Sequence, residues 1–343
     1  MADPAALSDL VATVMQAERV AVDIEASGMF AYRARPCTVQ LAWDDGATIA
    51  IVDVTATPIQ PLGELLGTSG PIKIVHDVAF DARLLADAGI ALGHVHDTSL
   101  AAHMLGRAAT GLAALLEAEL GAHVDKAMQH HDWRVRPLDE RMLDYLAADV
   151  FYLEALDRKL WTEVTSAGIE DAVVEETRHR IASALAAAKT AIPAPAYFRV
   201  KGAARMPERD LAALRVAAEI RERHAEMRDV PPHQVASADA LIVIARARPA
   251  TMDDLARVRG LPARGDETRA FALDLIEGLR SASDRIPEEE RAHFEPVRLP
   301  PDVVKRRRER EARLLSWRRA EAKERGVNEQ VVLPGHCLKD AAD

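Results

Sequence analysis

Three strand-like runs in succession between residues 19 and 53 constrain the fold more than any other feature of this chain. From Arg19 to Glu25 the residues alternate, with Val20, Val22 and Ile24 on one side and Ala21, Asp23 and Glu25 on the other. Thr38–Trp43 and Thr48–Asp53 follow, joined by Asp44-Asp45-Gly46, a hairpin signal. A fourth run, Ile72–Val75, sits between Gly70-Pro71 and a helical pattern over 78–88 that Gly89 stops. His94–His96 reads as a short strand, and Asp97-Thr98 as the cap of a helix running to Leu105. An amphipathic helix at 5–18 precedes them. Helical periodicity over 112–160, broken at 121–137, follows. Strands followed by helices predict an α/β domain around one mixed sheet.

The second half reads differently. A Pro/Ala stretch at 192–195 marks a boundary, and beyond it no strand pattern recurs. Helices are expected at 208–229, 238–247, 251–258 and 266–282, which makes a small all-α domain. Residues 284–302 read as irregular, and 303–325 as one strongly charged helix. A length of 343 residues suits two domains. Charge divides the same way. Residues 1–190 carry 28 Asp/Glu against 15 Lys/Arg, whereas 191–343 carry 26 against 29. A polyanionic partner would favour the second half, and the first would need metal ions to tolerate it. No apolar run approaches the roughly 20 residues that cross a bilayer, so no membrane partner is expected. Cys37 and Cys337 are too few and too far apart for a disulfide framework, and no secretory signal is visible. A cytoplasmic location is expected.

Certain residues carry chemistry by their spacing. Period 2 sets Asp23 and Glu25 on one face of the first strand, close enough to share a hard cation. If that strand is interior, two carboxylates there are expensive without a partner. Tyr145 and Asp149 stand one helical turn apart on a common face, with Leu143, Leu146, Val150 and Leu153 apolar beside them. Asp81 follows Phe80 early in a helix, where a carboxylate is tolerated. Each signal alone fits an ordinary polar face. His94, His96, His130 and His131 lack the ligand spacing of a zinc site. Asp97 reads as a helix cap rather than a further ligand.

The order Asp23-x-Glu25, Phe80-Asp81, Tyr145-x-x-x-Asp149 resembles the DEDD exonuclease superfamily in its tyrosine variant. Stretches 20–43, 72–87, 95–105 and 123–160 resemble ribonuclease D, with Asp132-Trp133, Arg136-Pro137-Leu138 and Tyr145-Leu-Ala-Ala-Asp149-Val150 closest. Residues 208–283 resemble the HRDC domain shared with RecQ helicases. The resemblance implies a ribonuclease H-like domain at 1–192, a linker at 193–207, an HRDC domain at 208–283, a linker at 284–302 and part of a second HRDC-like segment at 303–343.

It also implies a 3′–5′ exoribonuclease acting on single-stranded 3′ ends, with tRNA precursors as substrate, working as a monomer. Two divalent ions, Mg²⁺ or Mn²⁺, are implied. Asp23 would touch both, Glu25 and Asp149 would complete one site and Asp81 would support the other, while Tyr145 would orient the attacking water. Lys126, Phe80, Trp133 and Arg136 are candidate substrate contacts. For Phe80 and Trp133 packing is the favoured reading, and for Arg136 a structural ion pair is an equal alternative. A DNA exonuclease and a nuclease-inactive binding scaffold stand as alternatives. The chain departs from the family pattern at Asp77, an extra acid four residues before Asp81, and in supplying only the opening of a second HRDC domain.

Overall fold

In the computed structural model, described residues are 3–125, 127–188, 194–261, 266–294 and 299–342. The chain forms two compact units. One comprises Met1–Ser27, Arg35–Thr190 and Leu299–Asp343; the other comprises Gly28–Ala34 and Ala191–Arg298.

The first unit opens with α1 (Pro4–Val14), whose Asp3 side chain accepts from the Ala5 N–H. Its sheet is built from β1 (Arg19–Ala26), β2 (Pro36–Trp43) and β3 (Thr48–Asp53), then, after the short α2 (Gly63–Leu66), from β4 (Ile72–Val75) and, beyond α3 (Val78–Asp87), β5 (Val95–Asp97). The strand order is β3-β2-β1-β4-β5. β1 pairs antiparallel with β2 and parallel with β4, so it is the interior strand at which direction reverses. Ligands in such sheets bind beyond the carboxyl ends of the parallel strands. The β2–β3 turn runs through left-handed backbone at Asp44, Asp45 and Gly46. At Gly46 a Cβ would lie 2.5 Å from the Phe151 carbonyl oxygen, so only glycine fits there.

Helices α4 (Thr98–Met104), α5 (Leu112–Leu120), α6 (Glu140–Phe151), α7 (Leu153–Ser166) and α8 (Glu170–Ala188) complete the layers around the sheet. One buried cluster joins Ala21, Ala42 and Ile74 of the sheet to Val150, Leu153, Leu156 and Leu160. A smaller one gathers Cys37, Trp133, Met142 and Leu146.

The second unit holds α9 (Glu208–Met227), α10 (Pro232–Val235), α11 (Ala238–Ala247), α12 (Met252–Leu255), α13 (Asp266–Ser281) and α14 (Glu288–Phe294) around Leu214, Leu241, Phe271 and Leu275. No strand occurs among its described residues. Two features differ from the sequence expectation. The stretch expected to be irregular contains α14, because Glu290 accepts from Tyr197 and Arg215 while Phe294 packs on Tyr197. Gly28–Ala34, between β1 and β2 in sequence, belongs to this unit through Tyr32–Glu222 and Arg33–Glu226.

The first unit closes with α15 (Pro301–Arg325), α16 (Glu329–Val332) and α17 (Gly335–Ala342). These last helices therefore cluster with the α/β unit, not with the α-helical one. No described helix is long and apolar enough to cross a membrane. Cys37 and Cys337 are both free thiols.

Candidate active site

Strand β1 extends past its partner β4: the parallel register ends at Ala21–Ile74, leaving Asp23 and Glu25 beyond it. On its other edge Asp23 stands opposite Gln40 and Glu25 opposite Thr38. A register shift follows at Glu25/Ala26, the kind of bulge that re-aims side chains beside active sites.

Helix α6 brings the second pair. Asp139 caps it by accepting from the Met142 N–H at 2.8 Å. Met142, Leu146 and Val150 are buried. That burial fixes the helix rotation and leaves Tyr145 and Asp149 on the neighbouring face. Carboxylate oxygens of Asp23, Glu25 and Asp149 all lie within 4.8 Å of one another, the only such group among the described residues.

Asp81 arrives on the first turn of α3, only 8% exposed. Asp97 places that turn. Fully buried, it accepts from the backbone N–H groups of Asp77 and Val78 at 3.1 Å each, and caps α4 through Ser99 at 3.0 Å and Leu100 at 3.2 Å. One carboxylate thus satisfies the starts of two helices and holds Asp77 in left-handed backbone at φ 67°. The cap reading of Asp97 holds, but its service to α3 could not be read from adjacent residues. Asp97→Ala would orphan buried donors, and we expect a loss of about 2–4 kcal/mol in chemical denaturation. Asp77 itself is exposed.

The electrostatics follow from crowding. Burial, reinforced by Asp23 and Asp149, pushes Glu25 up to about 9. Burial and Asp23 raise Asp149 to about 8, against a lowering hydrogen bond from Tyr145. Burial lifts Asp23 to about 6, and burial plus Asp23 and Glu25 raise Asp81 well above the carboxylate range. The Tyr145 phenol also rises, through burial and the nearby acids. It is therefore a hydrogen-bonding group and no base at neutral pH. None of the four acids forms an ion pair with a described residue, so no cation among the described residues offsets them. Gln40 Oε1, buried on the strand face that carries Asp23, also has no hydrogen-bond partner. Hard oxygen donors, a surplus of negative charge and an unpaired amide oxygen fit a divalent cation.

A pH dependence follows. Carboxyls whose folded pKa lies above the unfolded value bind more protons when folded. Their contribution to stability is complete below about pH 4 and is lost as pH rises through roughly 6 to 9. Without metal, the melting temperature should fall across that window. Mg²⁺ or Mn²⁺ should flatten the fall, because binding to the folded form replaces the protons. A metal-independent profile in differential scanning fluorimetry would contradict this charge balance.

The remaining candidates separate. Trp133 is 1% exposed, enclosed by Cys37, Met142 and Leu146 and tilted against Tyr145 with ring centroids 5.6 Å apart. It offers no face to a base, so the substrate-contact reading is corrected to packing. Its indole Nε1 makes no hydrogen bond of ordinary geometry but faces Glu25 closely enough to favour the ionised carboxylate. Arg136 is also structural. It grips Asp53 through two bonds of 2.6 and 2.7 Å and donates to the Trp133, Val135 and Cys37 carbonyls. That fork, spent on its own loop, leaves little to offer a phosphate. Phe80 reverses the favoured core reading: it is 54% exposed on the turn that carries Asp81. Lys126 lies outside the described residues.

Comparisons with known proteins agree with this geometry. The family model described as 3′-5′ exonuclease matches residues 1–165, and that of the HRDC domain matches 210–270. Ribonuclease D of Shewanella sp. (strain ANA-3) is 31% identical over 306 residues, covering 84% of this chain and 74% of that protein. Ribonuclease D of Nitrobacter hamburgensis is 30% identical over 289 residues, covering 83% and 74%. The crystal structure of Escherichia coli RNase D, titled an exoribonuclease involved in structured RNA processing, superposes with a TM-score of 0.74 at 25% identity, over 96% of this chain and 86% of that one. A five-stranded sheet of this order, an acidic cluster at its switch strand and a following HRDC domain thus occur together, and the chain belongs to the ribonuclease D family, a 3′–5′ exoribonuclease that binds RNA and uses divalent metal ions.

Proposed function

We propose that this exoribonuclease trims the 3′ ends of structured RNA, with tRNA precursors as the physiological class, and that it works as a monomer in the cytoplasm with two ions of Mg²⁺ or Mn²⁺. The observation that carries the reading is the cluster of Asp23, Glu25 and Asp149 oxygens within 4.8 Å, with buried Asp81 beside it and no ion-paired cation among the described residues. Asp23 would contribute to holding both ions, Glu25 and Asp149 would complete one site, and Asp81 would support the other. When bound, such ions stabilise the attacking and leaving oxygens of a phosphodiester as Lewis acids.

The chain's own residues do the positioning. The Tyr145 hydroxyl, beside Asp149 and kept protonated by its surroundings, holds the attacking water by hydrogen bonding. Phe80, exposed next to Asp81, packs against the 3′-terminal base. Lys126 contacts a phosphate near the cleaved bond. Residues 1–192, apart from Gly28–Ala34, serve as the exonuclease domain and 208–283 as the HRDC domain, whose core the expected linker at 193–207 joins through Tyr197, Val200 and Ala203. Within the expected linker at 284–302, α14 packs with the HRDC domain, and the HRDC-like segment at 303–343 clusters with the exonuclease unit. Free thiols at Cys37 and Cys337 suit a reducing compartment.

The test compares a 3′-extended tRNA precursor with an unstructured RNA of the same 3′ sequence, over a titration of Mg²⁺ or Mn²⁺. Shortening of the precursor should stop near the paired stem, and the initial rate should rise more steeply than the first power of metal concentration. Degradation through the stem would remove the precursor role, and first-power dependence would remove the second ion.

A further inference from the structure

Helix α15 reverses the polarity of the chain. Within Pro301–Arg325 stand ten Lys/Arg and five Asp/Glu, in a protein of formal net charge −10. Its inner side is marked by Arg318, which donates to the Glu329 carbonyl at 2.8 Å, and by Ala322, which is also buried. Arg306, Arg310, Arg313 and Trp317 recur at spacings of four, three and four, which places them in one stripe roughly opposite that side. The stripe rises about 16 Å. Asp302 pairs with Arg306 at its start, Glu309 flanks it, and Glu321 and Glu324 close its far end.

Trp317 is the second observation. It is 49% exposed, while Trp43 and Trp133 are buried and Trp161 is half-buried against His96. Among the described residues no ring stacks on Trp317 and no guanidinium covers it. A bare indole at the end of a row of arginines has the chemistry of a single-strand platform, in which cations take phosphates and the ring takes a base.

We propose that the α15 face of Arg306, Arg310, Arg313 and Trp317 binds a single-stranded stretch of RNA, with Trp317 stacked on a base. The choice of RNA as occupant rests on the exoribonuclease activity, together with the charge of the stripe. Trp317 lies outside the acidic cluster, so this is a holding site that adds affinity for longer substrates and takes no part in hydrolysis.

The experiment uses the full chain with labelled 20-nucleotide oligo(A) in EDTA, read by fluorescence anisotropy at several salt concentrations. Trp317→Ala should weaken binding about fivefold or more. Trp317→Phe should stay within about twofold, since an aromatic face remains. Replacing Arg306, Arg310 and Arg313 by Gln should reduce the slope of log affinity against log salt by about 2. Hydrolysis of a trinucleotide with Mn²⁺ should stay at the wild-type rate in every variant. Wild-type affinity in Trp317→Ala, or an unchanged slope in the triple variant, would overturn the proposal and leave the face to a protein partner. Failure of wild-type protein to hydrolyse the trinucleotide would instead count against the catalytic assignment, and the binding results would still decide this one.

Discussion

Asp23→Asn should abolish hydrolysis, with a loss of at least about 10³-fold in single-turnover rate, while the protein stays folded. In the proposed mechanism bound metal ions would supply Lewis-acid stabilisation, and Asp23 is the acid whose charge reaches Glu25, Asp81 and Asp149 alike. Its amide removes a charge without removing volume. Because crowding raises the neighbouring carboxyls, Glu25 and Asp149 should ionise at lower pH in the variant, and metal-free stability should hold or rise at pH 8. Thermal melts with and without Mn²⁺ separate the effects. The wild type should gain stability from the ion, and the variant should gain much less. Wild-type turnover by Asp23→Asn would remove the residue from the site.

Tyr145→Phe should slow the chemical step by about 10²-fold and leave RNA affinity nearly unchanged, because in the proposed role the hydroxyl holds the water and not the phosphate. Its ring lies against buried Trp133, so Phe keeps the packing. Single-turnover rates beside anisotropy divide the two quantities. Reduced affinity with normal single-turnover cleavage would reassign Tyr145 to substrate binding.

Much of this site was legible from spacing because it stands on regular elements. Asp23 and Glu25 share a face by the period of a strand, Tyr145 and Asp149 by that of a helix, and both periods survive folding. What spacing could not show was burial. Phe80 and Trp133 are both aromatic and both adjacent to an aspartate in sequence, yet one faces solvent and the other sits in the core. The difference comes from tertiary neighbours, since α3 turns Phe80 outward while Cys37, Met142 and Leu146 close round Trp133. Asp97 shows the same limit. Its cap over α4 is local and readable, whereas its bonds to Asp77 and Val78 need β4 and β5 side by side. Helix α14 escaped because its anchors, Tyr197 and Arg215, are far from it in sequence. Charge density in α15 was visible from the start; the exposure of Trp317 was not.

The most direct measurement follows a 5′-labelled RNA with a single-stranded 3′ tail, beside the DNA of the same sequence, with Mg²⁺, Mn²⁺ or EDTA. The site described above predicts a ladder that shortens one nucleotide at a time from the 3′ end of the RNA, needs a divalent ion, stops in EDTA and vanishes in Asp149→Asn. Products that shorten equally in EDTA, or persist at full rate in Asp149→Asn, would contradict it.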